Sequence, residues 1–120
     1  MVGDFVILAH TDYGAPHFDL MLDTGQALRT WQVPDDPLLM DTHASEHITQ
    51  LPDHQLAYLD YEGPISRGRG VVRRVDAGGY ELSEAEDGSL VLMLDSSRGS
   101  GTFQLISGSS PDRWRLTRLG

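Results

Sequence analysis

The fold is decided by one alternating stretch, HFDLMLDTGQALRTWQVP, which occupies residues 17–34. His17 and Asp19 alternate with apolar neighbours, and a two-residue period is typical of a half-buried strand. An Asp-Thr-Gly turn signal follows, and Leu28 to Val33 then forms the returning strand of a predicted hairpin that Pro34 ends. The alternation places His17 and Asp19 on one face of the first strand.

Short apolar runs continue this pattern on both sides of the hairpin. Asp4 to His10 is strand-like, although it is too short to exclude a helix, and it carries His10 at its end. Further runs lie between glycines at Val71-Val72, Leu90 to Leu94, Thr102 to Ile106 and Trp114 to Leu119. Ser96 to Gly101 is most simply a hairpin loop. Short strands at turn-marked spacing predict a mainly β fold, a sandwich or a barrel.

Two segments between these runs have other patterns. Asp35 to Gln50 is polar and interrupted by prolines, and it fits either a short helix or an irregular loop. Asp53 to Tyr58 fits a helical turn, which would place His54 and Tyr58 on one face.

The composition predicts one domain, residues 1–120, because the length is that of a single compact unit. There is no cysteine, so a transition metal would be held by imidazole and carboxylate, and a reducing compartment fits. The apolar N-terminal run is too short to cross a bilayer. We expect a cytoplasmic monomer that does not associate with membranes.

The net charge of −9 opposes non-specific adsorption to nucleic acid, so any such contact must be local. All nine basic residues are arginines, and four lie close together at Arg67, Arg69, Arg73 and Arg74. Guanidinium groups suit phosphate oxygens. They equally offset an acidic surface, which is the interpretation that the cluster alone favours.

His10, His17 and Asp19 are candidate metal ligands. On neighbouring strands they would supply three ligands and leave positions open for water and phosphate, as catalytic sites do. The pattern is short enough to arise by chance, and a histidine on a sheet is more often a hydrogen-bonded surface or core residue. The spacing alone therefore favours the structural interpretation.

The order of motifs along nearly the whole chain resembles the 3′-phosphoesterase domain of bacterial DNA ligase D. The matching elements are His10, His17-Phe18-Asp19-Leu20 with Leu22, Leu28 to Pro34, Asp53-His54 with Tyr58, Tyr61 to Ile65, Gly68 and Gly70 leading to Asp76-Ala77-Gly78, and the closing pair Gly101 to Leu105 and Arg113 to Leu116.

This resemblance implies a small closed or partly open β-barrel flanked by one or two short helices. It implies a Mn²⁺-dependent activity that trims nucleic-acid 3′ ends in DNA repair, removing a terminal ribonucleotide and then a 3′-phosphate. The metal ligands would be His10, His17 and Asp19. His54, with Tyr58 and Asp53 beside it, would act on the phosphate, and a repair ligase or polymerase is the implied partner.

The chain departs from the family pattern at three positions, two of which are expected to carry a phosphate-binding cation. Met21 replaces an arginine, Asp35 replaces a lysine, and Pro52 replaces an acidic residue. Each lost charged hydrogen bond would weaken phosphate binding by about 1.5–3 kcal/mol. Arg67, Arg69 and Arg73 are the candidate replacements on other segments.

Other polar and aromatic residues are better explained structurally. His43 and His47, four residues apart, match no family element and fit a solvated face. Glu62 fits a turn acceptor better than a catalytic base. The two tryptophans fit the core better than a base-stacking surface.

Two classes of function follow. The first is a metal-dependent phosphoesterase acting on nucleic-acid 3′ ends or on a related phosphate ester. The second is a non-catalytic or substrate-shifted relative that binds metal and nucleic-acid ends. The full set of His10, His17, Asp19, His54 and Tyr58 favours the enzyme, whereas Met21 and Asp35 favour the alternative.

Overall fold

The computed structural model of the protein describes residues 1–41 and 44–120, with the backbone alone at positions 44, 46 and 47. The chain is mainly β, which confirms the predicted fold class. The strands are β1 Val2–Thr11, β2 His17–Asp23, β3 Leu28–Val33, β4 Ala44–His54, β5 Gly63–Pro64, β6 Val71–Glu84, β7 Leu90–Ser96, β8 Gly99–Ser107 and β9 Arg113–Arg118.

Eight of these strands form a ring of antiparallel pairs. The order is β1-β2-β3-β4-β9-β8-β7-β6, and β6 pairs in turn with β1, so that the ring closes. The short β5 adds to β6. Closure pairs both edges of β1 and leaves each strand with an inner and an outer face.

The inner face holds the main hydrophobic core. Trp31 and Trp114 pack there edge to face, with ring centroids 5.9 Å apart. Both are buried, so the core assignment of the tryptophans is confirmed and a base-stacking role for them is wrong.

The outer face of β1 and β2 is buried as well. Its second apolar cluster consists of Val6, Leu8, Met21, Leu28 and Val72. The segment that follows β4 covers this cluster with the partly buried side chains of Tyr58, Leu59, Tyr61 and Ile65. An apolar support on the outer face is what holds the candidate site next to it in place.

The β2–β3 hairpin is confirmed, with Phe18 opposite Val33. The predicted loop between β7 and β8 is shorter than expected, because β7 continues to Ser96 and β8 begins at Gly99.

The segment from 35 to 50 contains a strand that its polarity concealed. It holds a 3₁₀ helix, Pro37–Leu39, and the first part of β4. The other described helices are the 3₁₀ turns Leu56–Leu59 and Ser66–Gly68. The assignments made for His43 and for the side chain of His47 lie outside the described residues.

Within residues 1–41 and 44–120, no helix combines the length and the apolar character needed to span a bilayer.

Candidate metal and phosphate site

The pairing of β1 with β2 brings the three candidate metal ligands together on the outer face. His10 lies opposite His17, and Leu8 lies opposite Asp19. Because directly opposed residues share a face, and residues two apart on a strand do too, all three side chains project to the same side. The two imidazole rings are 4.7 Å apart between centroids.

Asp19 lies between the two histidines. Its Oδ2 is 3.4 Å from His10 Nδ1, and its Oδ1 is 3.4 Å from His17 Nε2. One ligand atom from each of the three residues lies within 4.8 Å of the others. This spacing would let the three side chains reach a single cation.

Backbone carbonyls determine which nitrogen of each ring carries hydrogen. His10 Nε2 lies 2.7 Å from the carbonyl oxygen of Arg69, and His17 Nδ1 lies 3.2 Å from that of Ala15. A carbonyl only accepts, so these nitrogens are the donors, and in a neutral ring the other nitrogen turns its lone pair to Asp19. Metal-binding histidines are oriented by this kind of outer hydrogen bond.

Asp19 is only 3% exposed, and its Oδ1 has no hydrogen-bond partner among the described residues. Burial raises the pKa of its carboxyl group, while the charges of His17, His10 and His54 act to lower it. Buried carboxylates are normally paired with a cation or with hydrogen-bond donors. The three residues therefore fit a divalent metal, which would compensate the carboxylate and accept both lone pairs.

These residues form one wall of a cleft of ≈ 660 Å³, and His54 and Tyr58 lie in the same cleft. His54 is the last residue of β4, and its Nδ1 donates to the carbonyl of Pro52 at 2.9 Å. Tyr58 follows in the 3₁₀ helix Leu56–Leu59, with its ring edge-on to His54 at 5.8 Å. Asp53 is exposed and also lines the cleft. The predicted turn exists, although His54 precedes it.

Among the described arginines, Arg69 alone lines this cleft. Its guanidinium donates to Ser66 twice, from Nε to the carbonyl at 3.0 Å and from Nη2 to Oγ at 3.1 Å. Arg73 pairs with Ala9 and therefore projects to the face opposite His10. Arg67 is exposed and does not line the cleft.

The residues that depart from the family pattern differ in their position relative to the cleft. Met21 is buried in the outer apolar cluster and forms part of the cleft wall. Asp35 is exposed and outside the cleft lining. Glu62 accepts the backbone N–H of Arg74 at 3.0 Å, which supports a structural role for its carboxylate, although the donor lies in β6 and not in the predicted turn.

The cleft wall contains four further polar side chains that were not predicted from the sequence, namely Tyr13, Gln32, Gln55 and Ser66. Gln32 lies opposite Asp19 in the β2–β3 pair, so the alternation of β3 was a usable signal. Tyr13 stacks over His10, with ring centroids 6.1 Å apart, but its position in an irregular turn gave no periodic signal.

Comparison with known proteins identifies relatives that match most of this chain. Residues 9–107 match the model of the DNA Ligase D 3′-phosphoesterase domain family. The chain is 33% identical to the multifunctional non-homologous end joining DNA repair protein LigD of Mycobacterium tuberculosis, over 96% of this chain and 16% of that protein. It is 34% identical to the LigD protein of Pseudomonas aeruginosa, over 75% of this chain and 12% of that one. The chain thus spans less than a fifth of the length of these relatives.

Proposed function

Since the chain belongs to the DNA ligase D 3′-phosphoesterase domain family, we propose that it is a metal-dependent phosphoesterase that trims nucleic-acid 3′ ends in DNA repair. The observation that carries this proposal is the convergence of His10, His17 and Asp19 in one cleft with His54. The names of the relatives connect the family with non-homologous end joining, and a ligase or polymerase of that process is the proposed partner in the cytoplasm.

His10 Nδ1, His17 Nε2 and a carboxylate oxygen of Asp19 are the proposed ligands of Mn²⁺ or another divalent transition metal. The free nitrogens and the unpaired Oδ1 supply the mixed nitrogen and oxygen donor set that such metals accept. When bound, the metal supplies Lewis-acid polarisation of a phosphoryl oxygen.

His54 is the proposed phosphate contact. Its Nδ1–H is committed to the Pro52 carbonyl, so Nε2 is the atom that can hydrogen-bond a phosphoryl oxygen or donate a proton to the leaving oxygen. Tyr58 limits the movement of the ring from one side. Asp53 is exposed at the cleft next to His54 and is the third residue proposed to act on the substrate.

Met21 stands where the family pattern has a phosphate-binding arginine. Arg69 is the proposed replacement for that positive charge. Its two hydrogen bonds to Ser66 hold the guanidinium on the cleft wall, and its own carbonyl holds His10. A side chain that is already ordered loses less conformational entropy when an anion binds. Arg67 and Arg73 are weaker candidates because neither lines the cleft.

A non-catalytic or substrate-shifted relative is the second candidate. Met21 presents an apolar side chain to the cleft, and the net charge of −9 opposes a long polyanion. Such a protein would bind metal and a nucleic-acid end, or a small phosphate ester, without hydrolysing a 3′ end.

The test is to incubate the protein with Mn²⁺ and a primer-template that ends in one ribonucleotide or in a 3′-phosphate, alongside His17→Ala and His54→Ala. We expect metal-dependent product from the wild type only. Mn²⁺ should raise the melting temperature of the wild type and of His54→Ala but not of His17→Ala. Equal product from His17→Ala would exclude the proposed mechanism. A metal-induced shift in the wild type with no product would favour the binding module.

A further inference from the structure

A second cavity of ≈ 400 Å³ continues from the metal cleft along the segment after β4. The two cavities share the side chains of Gln55, Tyr58, Ile65 and Ser66. The remaining wall of the second cavity, which we call the aromatic pocket, is formed by Ala57, Tyr61 and Pro64. The shared residues mean that a ligand could occupy both cavities at once.

The walls of the aromatic pocket suit a flat apolar group. Tyr58 and Tyr61 pack edge to face, with ring centroids 5.5 Å apart and planes at 78°. The Tyr61 hydroxyl donates to the carbonyl of Pro64, which fixes this ring. Gln55 and Ser66 add polar atoms where the pocket meets the cleft. A few polar groups on an otherwise apolar wall are usual for small-molecule sites of this size.

We propose that the aromatic pocket binds the base of the nucleotide whose phosphate lies at His54 and the metal ligands. This inference rests on the proposed function, because that function places a phosphate ester in the adjoining cleft. Aromatic side chains bind nucleobases by their π faces with little dependence on sequence. An enzyme that processes ends of any sequence needs this tolerance.

The position of Arg69 supports the same arrangement. It lines the metal cleft and is tied to Ser66, which lines both cavities. A sugar and phosphate that connect the two cavities would therefore pass beside the guanidinium. The rest of the chain carries a strong net negative charge, so affinity should come from one terminal nucleotide rather than from a long phosphate tract.

The test compares two phosphate esters that differ in the base. With Mn²⁺ present, the affinity for thymidine 3′-monophosphate and for glycerol phosphate is measured by calorimetry or, for an ester that is hydrolysed, by its KM under slow turnover. The variant Ala57→Phe fills the aromatic pocket and leaves the metal cleft unchanged, since Ala57 lines the aromatic pocket and not the cleft. Ala85→Phe places the same added ring on an exposed residue after β6 and serves as the matched control.

We expect the wild type and Ala85→Phe to bind the nucleotide about tenfold more tightly than glycerol phosphate, the order that stacking of one base supplies. In Ala57→Phe the preference should fall to about twofold or less, with the affinity for glycerol phosphate unchanged. Equal affinity of the wild type for both esters, or an undiminished preference in Ala57→Phe, would overturn the pocket and leave the phosphoesterase proposal standing.

If neither ester binds or is hydrolysed, the proposed function fails, and the pocket is decided separately with thymidine. In metal-free protein, thymidine should shift the NMR signals of the Tyr58 and Tyr61 rings, and Ala57→Phe should abolish the shift. A wild type whose tyrosine signals do not respond to saturating thymidine would refute the base site itself.

Discussion

Two buried carboxylates, Asp19 and Asp76, lie on opposite faces of the same sheet and differ in what neutralises them. Asp19 faces two imidazole nitrogens at 3.4 Å on the outer face. Asp76 lies opposite Ile7 and faces inward. Its Oδ1 accepts the N–H of Ala77 at 2.9 Å, and its Oδ2 lies 3.9 Å from the guanidinium of Arg98. Each carboxylate has one buried oxygen without a hydrogen-bond partner among the described residues.

The difference separates a structural carboxylate from a candidate ligand. Asp76 has a cation supplied by the chain, and guanidinium is charged at every pH of interest. The neighbours of Asp19 have committed their N–H groups to backbone carbonyls. A bound metal ion would therefore compensate its charge. Burial alone would identify both Asp19 and Asp76 as candidate metal ligands. The orientation of the two histidines, whose N–H groups point away from the carboxylate, singles out Asp19.

The largest effect that this comparison predicts is on metal affinity. Asp19→Asn should weaken Mn²⁺ binding by about 100-fold or more, because the site loses its only anionic ligand among the three. At a metal concentration about 100 times the wild-type dissociation constant, the wild type should gain about 2.7 kcal/mol of stability. The variant should gain almost none. Thermal melts with and without Mn²⁺ measure this difference.

Asp76→Asn is the matched control, because it makes the same substitution at a carboxylate of similar burial on the other face. It should keep the full metal-induced shift. A shift that falls equally in both variants would mean that the metal binds elsewhere or that the substitutions act through the fold.

The second prediction concerns two glycines, Gly70 beside His10 and Gly78 two residues after Asp76 in β6. Gly70 has φ +90°, and a Cβ there would lie 2.3 Å from the Thr11 carbonyl and 3.0 Å from His10 Nε2. A Cβ on Gly78 would lie 2.1 Å from the Asp95 carbonyl. Replacement of either glycine by alanine should destabilise the fold by about 1–3 kcal/mol or more, as overpacking does. Urea unfolding measures the loss.

The two variants should differ in their response to metal. Gly70→Ala pushes on the hydrogen-bonded nitrogen of His10 and should weaken Mn²⁺ binding in addition to lowering stability. Gly78→Ala should lower stability alone, because the site lies on the other face. Unchanged Mn²⁺ affinity in folded Gly70→Ala would show that the carbonyl of Arg69 does not position His10.

Periodicity was sufficient for the hairpin and for the shared face of His17 and Asp19. An alternating strand fixes side-chain direction locally, so no tertiary information was needed. The resemblance to the family was needed to predict that His54 belongs to the site. His54 comes close to His10, His17 and Asp19 only through the pairing of β3 with β4. That pairing has no local signal in the sequence, and β4 itself was missed because its polar sequence lacks a clean alternation.

Other features depended on contacts between distant segments. The hydrogen bond from His10 to the Arg69 carbonyl spans 59 residues of sequence. Arg69 lies before β6 and reaches the cleft wall, whereas Arg73 pairs with Ala9 within β6 and therefore projects to the other face. Neither this hydrogen bond nor the positions of the two arginines can be read from composition or spacing, since they arise only when the ring of strands has closed.

The third prediction tests whether Arg98 stabilises Asp76. Arg98→Met should lower stability by about 1–2 kcal/mol, because it leaves a buried carboxylate without its cation. Half of the Arg98 side chain is exposed, so solvent limits the loss. Arg98 also donates to the carbonyl of Val75. A double-mutant cycle with Asp76→Asn, measured by urea unfolding, isolates the ion pair from that second contact.

We expect a coupling energy of about 0.5–1 kcal/mol between Asp76 and Arg98. Strict additivity of the two substitutions would show that Arg98 acts through the Val75 carbonyl and that Asp76 is tolerated without a counter-charge.

The smallest effect concerns Asp36, a second buried carboxylate at the Asp76 end of the ring. Its Oδ1 accepts the N–H of Leu38 at 3.0 Å at the start of the 3₁₀ helix Pro37–Leu39. Burial, followed by the charge of Asp76, raises the pKa of the Asp36 carboxyl, while the Leu38 hydrogen bond and Arg98 act to lower it. The guanidinium of Arg98 thus interacts electrostatically with both Asp36 and Asp76.

A raised pKa means that the native state takes up a proton before the unfolded state does as the pH falls. The ionised group therefore costs stability at neutral pH, and this cost disappears as the pH falls through the raised pKa towards the unfolded value of about 3.9. Asp36→Asn keeps the cap, because asparagine accepts the same N–H. It should stabilise the protein at pH 7 by less than about 1 kcal/mol. The gain should vanish near pH 4 in urea titrations, and a gain that stays constant with pH would assign it to packing rather than to charge.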